Sequence, residues 1–292
     1  MSEAPTRARE RLREVVDTTG MRPVYRRPDL PTYLEQLWDR RHFILAESRG
    51  KVVSGSRGTV LGLGWLVLRP LLDGAAYYII FGLVLGTSRG IDNFLGYLLI
   101  GIFLFQYTSR SLSTGAQSLI QGRNLVKAFT FPRAALPIAV VVRNTLTQVP
   151  VLAVMLVLIL LLPPQEDVTW RWALFPVVLV LQGMFTFGIA LWAARVTARL
   201  PDLSQIISIA TRFWLYGSAV FFSYDRFIDH PRILQLIELN PMFIVLDASR
   251  DVLLYGQTPD AGSWVLLVTW SVASAVGGLV FFWRGEERYG AL

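Results

Sequence analysis

The chain has 292 residues, 53% of them hydrophobic and 17% charged, with a mean hydropathy of +0.46. It contains no cysteine, which excludes disulfide frameworks, thiolate nucleophiles and Cys-based metal sites, and two histidines, His42 and His230, are too few to favour a histidine-built metal centre. The formal net charge of +7 does not point to nucleic acid: twelve of the 28 basic residues precede Thr59, ahead of the first apolar run, where they suit anionic lipid.

Residues 1–28 are Arg-rich, include Pro5, Pro23 and Pro28, and show no sustained apolar period. They are expected to form a disordered basic cytoplasmic tail, without the pattern of a cleavable signal peptide. From 29 to 57 the pattern changes. Pro31 suits a first helical turn, and Leu34, Leu37, Trp38, Ile44 and Leu45 fall roughly on one face, with Asp39, Arg40, Arg41 and Glu47 on the remainder. This predicts an amphipathic helix in the headgroup plane; a soluble helix packed on a partner is the alternative.

Six apolar runs follow, near 60–86, 94–119, 134–162, 172–194, 204–222 and 264–283. Each approaches the roughly 20 residues needed to cross a hydrocarbon core about 30 Å thick. The predicted fold class is therefore an all-α polytopic membrane protein with six transmembrane helices, its membrane domain filling 58–285 and a short C-terminus at 286–292. The second and third runs carry apparent interruptions, at Gly115 with Gln117 and at Pro137 with Pro150.

Basic residues mark one side of these runs. Arg49, Lys51 and Arg57 precede the first, Arg123, Lys127 and Arg133 follow the second, Arg195 and Arg199 follow the fourth, and Arg284 and Arg288 follow the sixth. By the positive-inside rule both termini lie in the cytoplasm. The loop from 223 to 263 is too long for a simple turn; Ile233–Leu239 and Phe243–Leu254 are expected to form short helices at the outer membrane surface or dipping partly into it, a natural place for an exit gate.

Charges within spans are the first functional candidates, because they are costly in lipid. Arg69 and Asp73 lie four apart on one helical face, as an intrahelical pair or as groups facing a substrate. Arg143, Asn144, Thr145, Thr147 and Gln148 give the third span a polar patch, and Arg212 sits mid-way along the fifth. Tyr77, Tyr78, Phe213, Trp214, Tyr216, Phe221 and Phe222 crowd the outer halves of spans, as packing or as a surface on which sugars slide. No GxxxxGK[ST] phosphate loop is present, so ATP hydrolysis by that route is not expected of this chain.

Three passages resemble the permease subunits of type-2 ABC exporters for O-antigen, teichoic acid and related polysaccharides. The first runs from Leu61-Gly62-Leu63-Gly64-Trp65 to Pro70-Leu71; the third is Asn240-Pro241-Met242 with Arg250 after it. The second is the most specific: Asn124-Leu125-Val126-Lys127-Ala128-Phe129-Thr130-Phe131-Pro132-Arg133, followed by Leu136-Pro137. Arg69, just before Pro70, departs from the apolar residue expected there.

The resemblance implies a coupling helix at 122–132, docked in a groove of a separate ATPase. Leu125, Val126, Phe129 and Phe131 would supply apolar contact, Lys127 and Arg133 orientation, and Asn124 and Pro132 complete the motif. It implies a homodimer with two ATPase copies, ATP and Mg being bound by the partner and no cofactor by this chain. The substrate would be a polyprenyl-diphosphate-linked glycan, with an actinobacterial cell-wall galactan suggested by the bias of 26 arginines against two lysines. Arg40, Arg41, Arg49, Lys51 and Arg57 would attract the diphosphate. Arg69, Asp73, Tyr77, Tyr78, Arg212, Trp214 and Tyr216 would line the channel, no catalytic or metal residue being expected. Two rivals stand beside this reading: a membrane-embedded glycosyl- or acyltransferase, for which Asp225, Asp229 and His230 would be candidates, and a secondary transporter, which would need an internal repeat.

Overall fold

The computed structural model describes residues 27–54, 61–84, 91, 93–128, 131–162, 166–222 and 231–291. Among them there is no strand; the chain folds as a packed set of helices. Three of these are long and apolar enough to cross a membrane: Ala135–Leu161, Trp170–Arg199 and Ala261–Trp283. The other three expected spans also coincide with helical segments, each of them shorter or less apolar.

The amphipathic segment is two helices rather than one, α1 (Leu30–Asp39) and α2 (Arg41–Ser54). Arg40 lies between them at φ −86°, ψ 5°, its N–H shared by the carbonyls of Gln36 and Leu37. The Arg41 guanidinium donates to the Trp38 carbonyl at 2.9 Å and lies over the Trp38 ring, satisfying an acceptor exposed by the break. Tyr33, Leu37 and Ile44 are buried, and Ser48 donates to the Ala139 carbonyl at 2.8 Å, which anchors α2 to a spanning helix. Residues 27 and 28, at the end of the expected tail, meet the last spanning helix. Trp283 Nε1 donates to the Pro28 carbonyl at 2.9 Å, and the Arg27 guanidinium sits 4.3 Å above the Trp283 ring.

Helix α3 (Trp65–Tyr77) widens into a π-helical stretch at Tyr78–Val84. Helix α4 (Phe94–Gln121) is the central post, buried along most of its length and capped by Asn93, whose Oδ1 accepts from the Gly96 N–H at 2.8 Å. It runs unbroken through Gly115 and Gln117, so the expected interruption is absent. Gly115 is there for packing: a Cβ would sit 2.8 Å from the Ala190 Cβ. Short α5 (Arg123–Ala128) follows, then α6 (Ala135–Leu161), in which Pro137 sits near the start and Pro150 lies inside a continuous helix.

Helices α7 (Phe175–Arg199) and α11 (Ala261–Trp283) cross closely. Ser271 and Ser274 of α11 donate to the carbonyls of Leu181 and Phe185 on α7, at 2.8 and 2.9 Å. Gly188 and Gly278 face each other: a Cβ on Gly188 would strike the Ser274 backbone, and one on Gly278 the Gly188 carbonyl. Only hydrogens fit there, as in the small-residue crossings of membrane helices.

Helix α8 (Leu203–Gly217) is shorter than the run that predicts it, because the chain turns at Ser218 and Ala219, the latter at φ +50°. The two short helices expected in the long loop are present as α9 (Pro231–Glu238) and α10 (Pro241–Leu253). Helix α10 packs into the protein core. Met242, Val245 and Leu246 are fully buried in the main apolar cluster with α4 and α7. A second, separate cluster joins Tyr33, Leu37, Ile44, Leu119, Val126, Leu136, Phe282 and Tyr289 at the end where the first and last described segments meet.

Candidate functional site

Three arrangements concentrate the polar chemistry: a clamp at the terminal end, a groove along α3, α4 and α8, and a hinge at the opposite end.

The clamp centres on Glu286, just beyond α11. Its Oε1 accepts from the Arg133 backbone N–H at 2.9 Å and lies 3.5 Å from Arg133 Nη1, which also donates to the Glu286 carbonyl at 3.3 Å. Its Oε2 accepts from the Tyr33 hydroxyl at 2.8 Å, while that hydroxyl oxygen accepts from the Ala134 N–H at 3.3 Å. One carboxylate thus ties α1, the segment after α5 and the C-terminal turn. Arg133 and Glu286 are 7% and 4% exposed, so the pair is shielded from water. Burial holds the Glu286 carboxyl above the ordinary carboxylate range, although the bonds from Arg133 and Tyr33 pull it down. Since the folded form holds its proton more tightly than the unfolded chain, this group's contribution to stability falls as pH rises through the folded-state value. Burial also pushes the Tyr33 hydroxyl well up, with the Glu286 charge adding to the effect.

This placement changes the role expected of Arg133. Its side chain is enclosed within the chain and bonded to Glu286, not presented to an outside partner. Val126 and Pro132 are buried as well; Leu125 and Phe131 are half-buried against the terminal cluster, with the Phe131 ring 6.0 Å from Phe43. Arg123 and Asn124 of α5 are exposed. Lys127 lies in α5, but its side chain falls outside the described residues, as does Phe129 altogether. Among the described residues of the motif, Val126 fully and Leu125 and Phe131 in part turn toward their own protein, an outcome that composition alone cannot foretell.

Of the five expected phosphate-attracting cations, Arg40, Arg41, Arg49 and Lys51 are exposed, and Arg57 lies outside the described residues. Lys51 pairs with Glu47 at 2.7 Å.

The groove is a cavity of about 220 Å³ lined by Tyr77, Gln106, Ser109, Ser113, Ser208, Thr211, Arg212 and Phe221, among others. Arg212 faces it and is exposed. Arg69 and Asp73 are exposed on α3 and form no ion pair with each other among the described residues; Asp73 accepts from Gln106 Nε2 at 3.4 Å. Arg110, exposed and next in sequence to the groove's Ser109, adds another cation to α4. Sequence reasoning missed Gln106, Ser109, Arg110 and Ser113. Their spacing of three to four residues places them on one face of α4, a signal masked by the apolar residues that dominate the same run.

Aromatic rings close the groove's end. Phe81 stacks on Phe221 with centroids 4.4 Å apart, and Tyr77 and Tyr216 approach the same Phe221 ring at 5.0 and 5.8 Å. Trp214 and Tyr78, expected beside them, pack elsewhere. Trp214 sits edge-on to Phe105 and donates through Nε1 to Asn240 Oδ1 at 2.8 Å, and Tyr78 packs on Phe94.

At the hinge, Tyr97 donates its hydroxyl proton toward the carbonyls of Ala219 and Phe222, at 2.9 and 2.7 Å. Asn240 caps α10, accepting from the Met242 N–H, and its Nδ2 donates to the Gly217 carbonyl and Ser218 Oγ. Arg250 is 1% exposed, with its guanidinium 3.3 Å from the Tyr97 ring centroid and Nη2 donating to the Tyr97 carbonyl at 3.4 Å. Gly101 makes room, since a Cβ would lie 2.9 Å from Arg250 Nη2. Arg250→Met is expected to lower stability by about 2 kcal/mol, chiefly through the desolvated cation–π contact, measured as a shift in thermal midpoint with Arg250→Lys falling between. The trio Asp225, Asp229 and His230 lies outside the described residues.

The model of the ABC-2 type transporter family matches residues 56–254, a stretch holding all of the groove and hinge and the Arg133 side of the clamp. The chain is 27% identical over 255 residues to the O-antigen export system permease protein RfbA of Myxococcus xanthus, covering 87% of this chain and 96% of that protein. It is 24% identical over 225 residues to RfbA of Klebsiella pneumoniae, covering 77% and 85%.

Proposed function

Because this chain belongs to the ABC-2 type transporter family, we propose that it is the membrane subunit of an exporter that carries polysaccharide across the cytoplasmic membrane of a bacterium, driven by a separate ATPase. The observation that carries this reading is the family match itself, extended along most of the chain by permeases of O-antigen export. The groove supports it, with the Arg212 cation, its hydroxyls and its aromatic wall, a surface that suits a sugar chain bearing anionic groups.

In this reading six helices span, α3, α4, α6, α7, α8 and α11, with both termini in the cytoplasm. The clamp then lies at the inner face and the hinge at the outer one. Two copies of the chain pair with two ATPases, which bind ATP and Mg. The substrate is a polyprenyl-diphosphate-linked glycan, of which a cell-wall galactan is one form. Exposed Arg40, Arg41 and Arg49 draw its diphosphate to the inner leaflet. Arg123, Asn124 and the open sides of Leu125 and Phe131 meet the ATPase, while Arg133 passes the motion inward through Glu286 to α1. A rigid tie between these three segments would let them move as one body when the partner closes.

Asn124→Cys provides the test. A membrane-impermeant thiol reagent is expected to label it in inverted vesicles and not in intact cells, and the tagged chain is expected to copurify with an ATPase carrying a phosphate loop. Labelling from the outside alone would overturn the orientation and the coupling role together.

A further inference from the structure

We propose that a phosphate group binds in a partly enclosed cavity of about 70 Å³ between α2, α4, α5 and α6. Its polar lining is Glu47, Ser48 and Lys51 from α2, Ser118 and Gln121 from α4, and Arg143 from α6, the Ser48 hydroxyl being already bonded to the Ile44 and Ala139 carbonyls. The volume is more than twice the ~30 Å³ share of one liquid water, enough for a tetrahedral oxyanion.

Two cations and one carboxylate line this space. Glu47 is paired with Lys51 at 2.7 Å, which leaves the Arg143 charge in excess. Ser118 supplies the independent signal. It is 5% exposed, and its Oγ has no hydrogen-bond partner among the described residues. A buried hydroxyl left unbonded costs about 1–3 kcal/mol, so a site that places one beside a guanidinium and an ammonium is completed by an acceptor. An anionic phosphate accepts from all three. Arg143 stands about two turns into α6, counted from the end that carries the clamp, a depth that a headgroup reaches from the inner leaflet.

The phosphate has two sources of the same chemistry, the diphosphate of an isoprenyl-linked substrate or the headgroup of an anionic phospholipid. The first rests on the exporter reading; the second does not. Full-length protein in nanodiscs of zwitterionic lipid separates them. Farnesyl diphosphate and phosphatidylglycerol are titrated in turn, with farnesol as the uncharged control, and binding is followed by native mass spectrometry. Tight binding of farnesyl diphosphate, weakened about tenfold by Arg143→Gln and about threefold by Ser118→Ala, assigns the site to the substrate. The same pattern with phosphatidylglycerol alone assigns it to a lipid headgroup. Arg143→Lys is expected to retain most of the affinity, and thermal midpoints identify any variant that has merely misfolded. Binding indifferent to Arg143→Gln and Ser118→Ala in well-folded protein, or farnesol bound as tightly as its diphosphate, overturns the site. Intact binding in a protein that supports no ATP-dependent export would strike the exporter reading and leave the site standing.

Discussion

Glu286→Ala is expected to destabilise the protein by about 3–5 kcal/mol, the range measured when one partner of a buried ion pair is removed. The substitution takes the Glu286 carboxylate from the Arg133 guanidinium, in a site 7% exposed, and deprives the Arg133 N–H and the Tyr33 hydroxyl of that acceptor. Three segments far apart in sequence lose their common attachment at once. Glu286→Gln keeps the shape and one carbonyl acceptor, so it is expected to cost less. Tyr33→Phe, which removes one hydroxyl with the bond it donates and the bond it accepts, is expected to cost about 1–2 kcal/mol. Thermal unfolding of the purified protein orders the series. Under the proposed function, Glu286→Gln protein that remains folded is expected to lose the coupling between ATP hydrolysis and export. Full coupling in that variant would show that the tie is structural only.

The other large effect lies at the α7–α11 crossing. Gly188→Leu and Gly278→Leu are each expected to abolish the folded state, read as loss of a monodisperse species after detergent extraction. Even the first carbon of a side chain meets backbone there: the Ser274 peptide in one case, the Gly188 carbonyl in the other. Overpacking usually costs about 1–3 kcal/mol because side chains can shift aside, but two helix backbones cannot separate without breaking the bonds from Ser271 and Ser274. Gly277→Ala is the control. Its added carbon would lie 3.7 Å from the Trp192 ring, ordinary contact distance, and is expected to be tolerated.

These predictions involve residues of unequal legibility. Helix positions were readable because hydrocarbon imposes a length on every crossing segment, and that length is a local property of the chain. The two short helices after residue 230 were readable because Ile233–Leu239 and Phe243–Leu254 are apolar enough to pack but too short or too charged to span; Pro231, Pro241 and the Asn240 cap fix where they begin. The NLVKAFTFPR passage was readable as a motif, and its described residues do gather at one end with both described termini.

What the sequence could not disclose was which side chains face one another. Arg133 and Glu286 are separated by 153 positions and Tyr33 and Glu286 by 253, so nothing local distinguishes a buried tie from a surface contact. Trp214 and Arg212 stand two apart on α8, yet one packs against the core and the other opens onto the groove. Lipid solvation determines where a chain may cross, and it acts on each segment separately. Which face of a helix meets protein depends on its neighbours' shapes and polar groups, and these are brought together only when the helices pack.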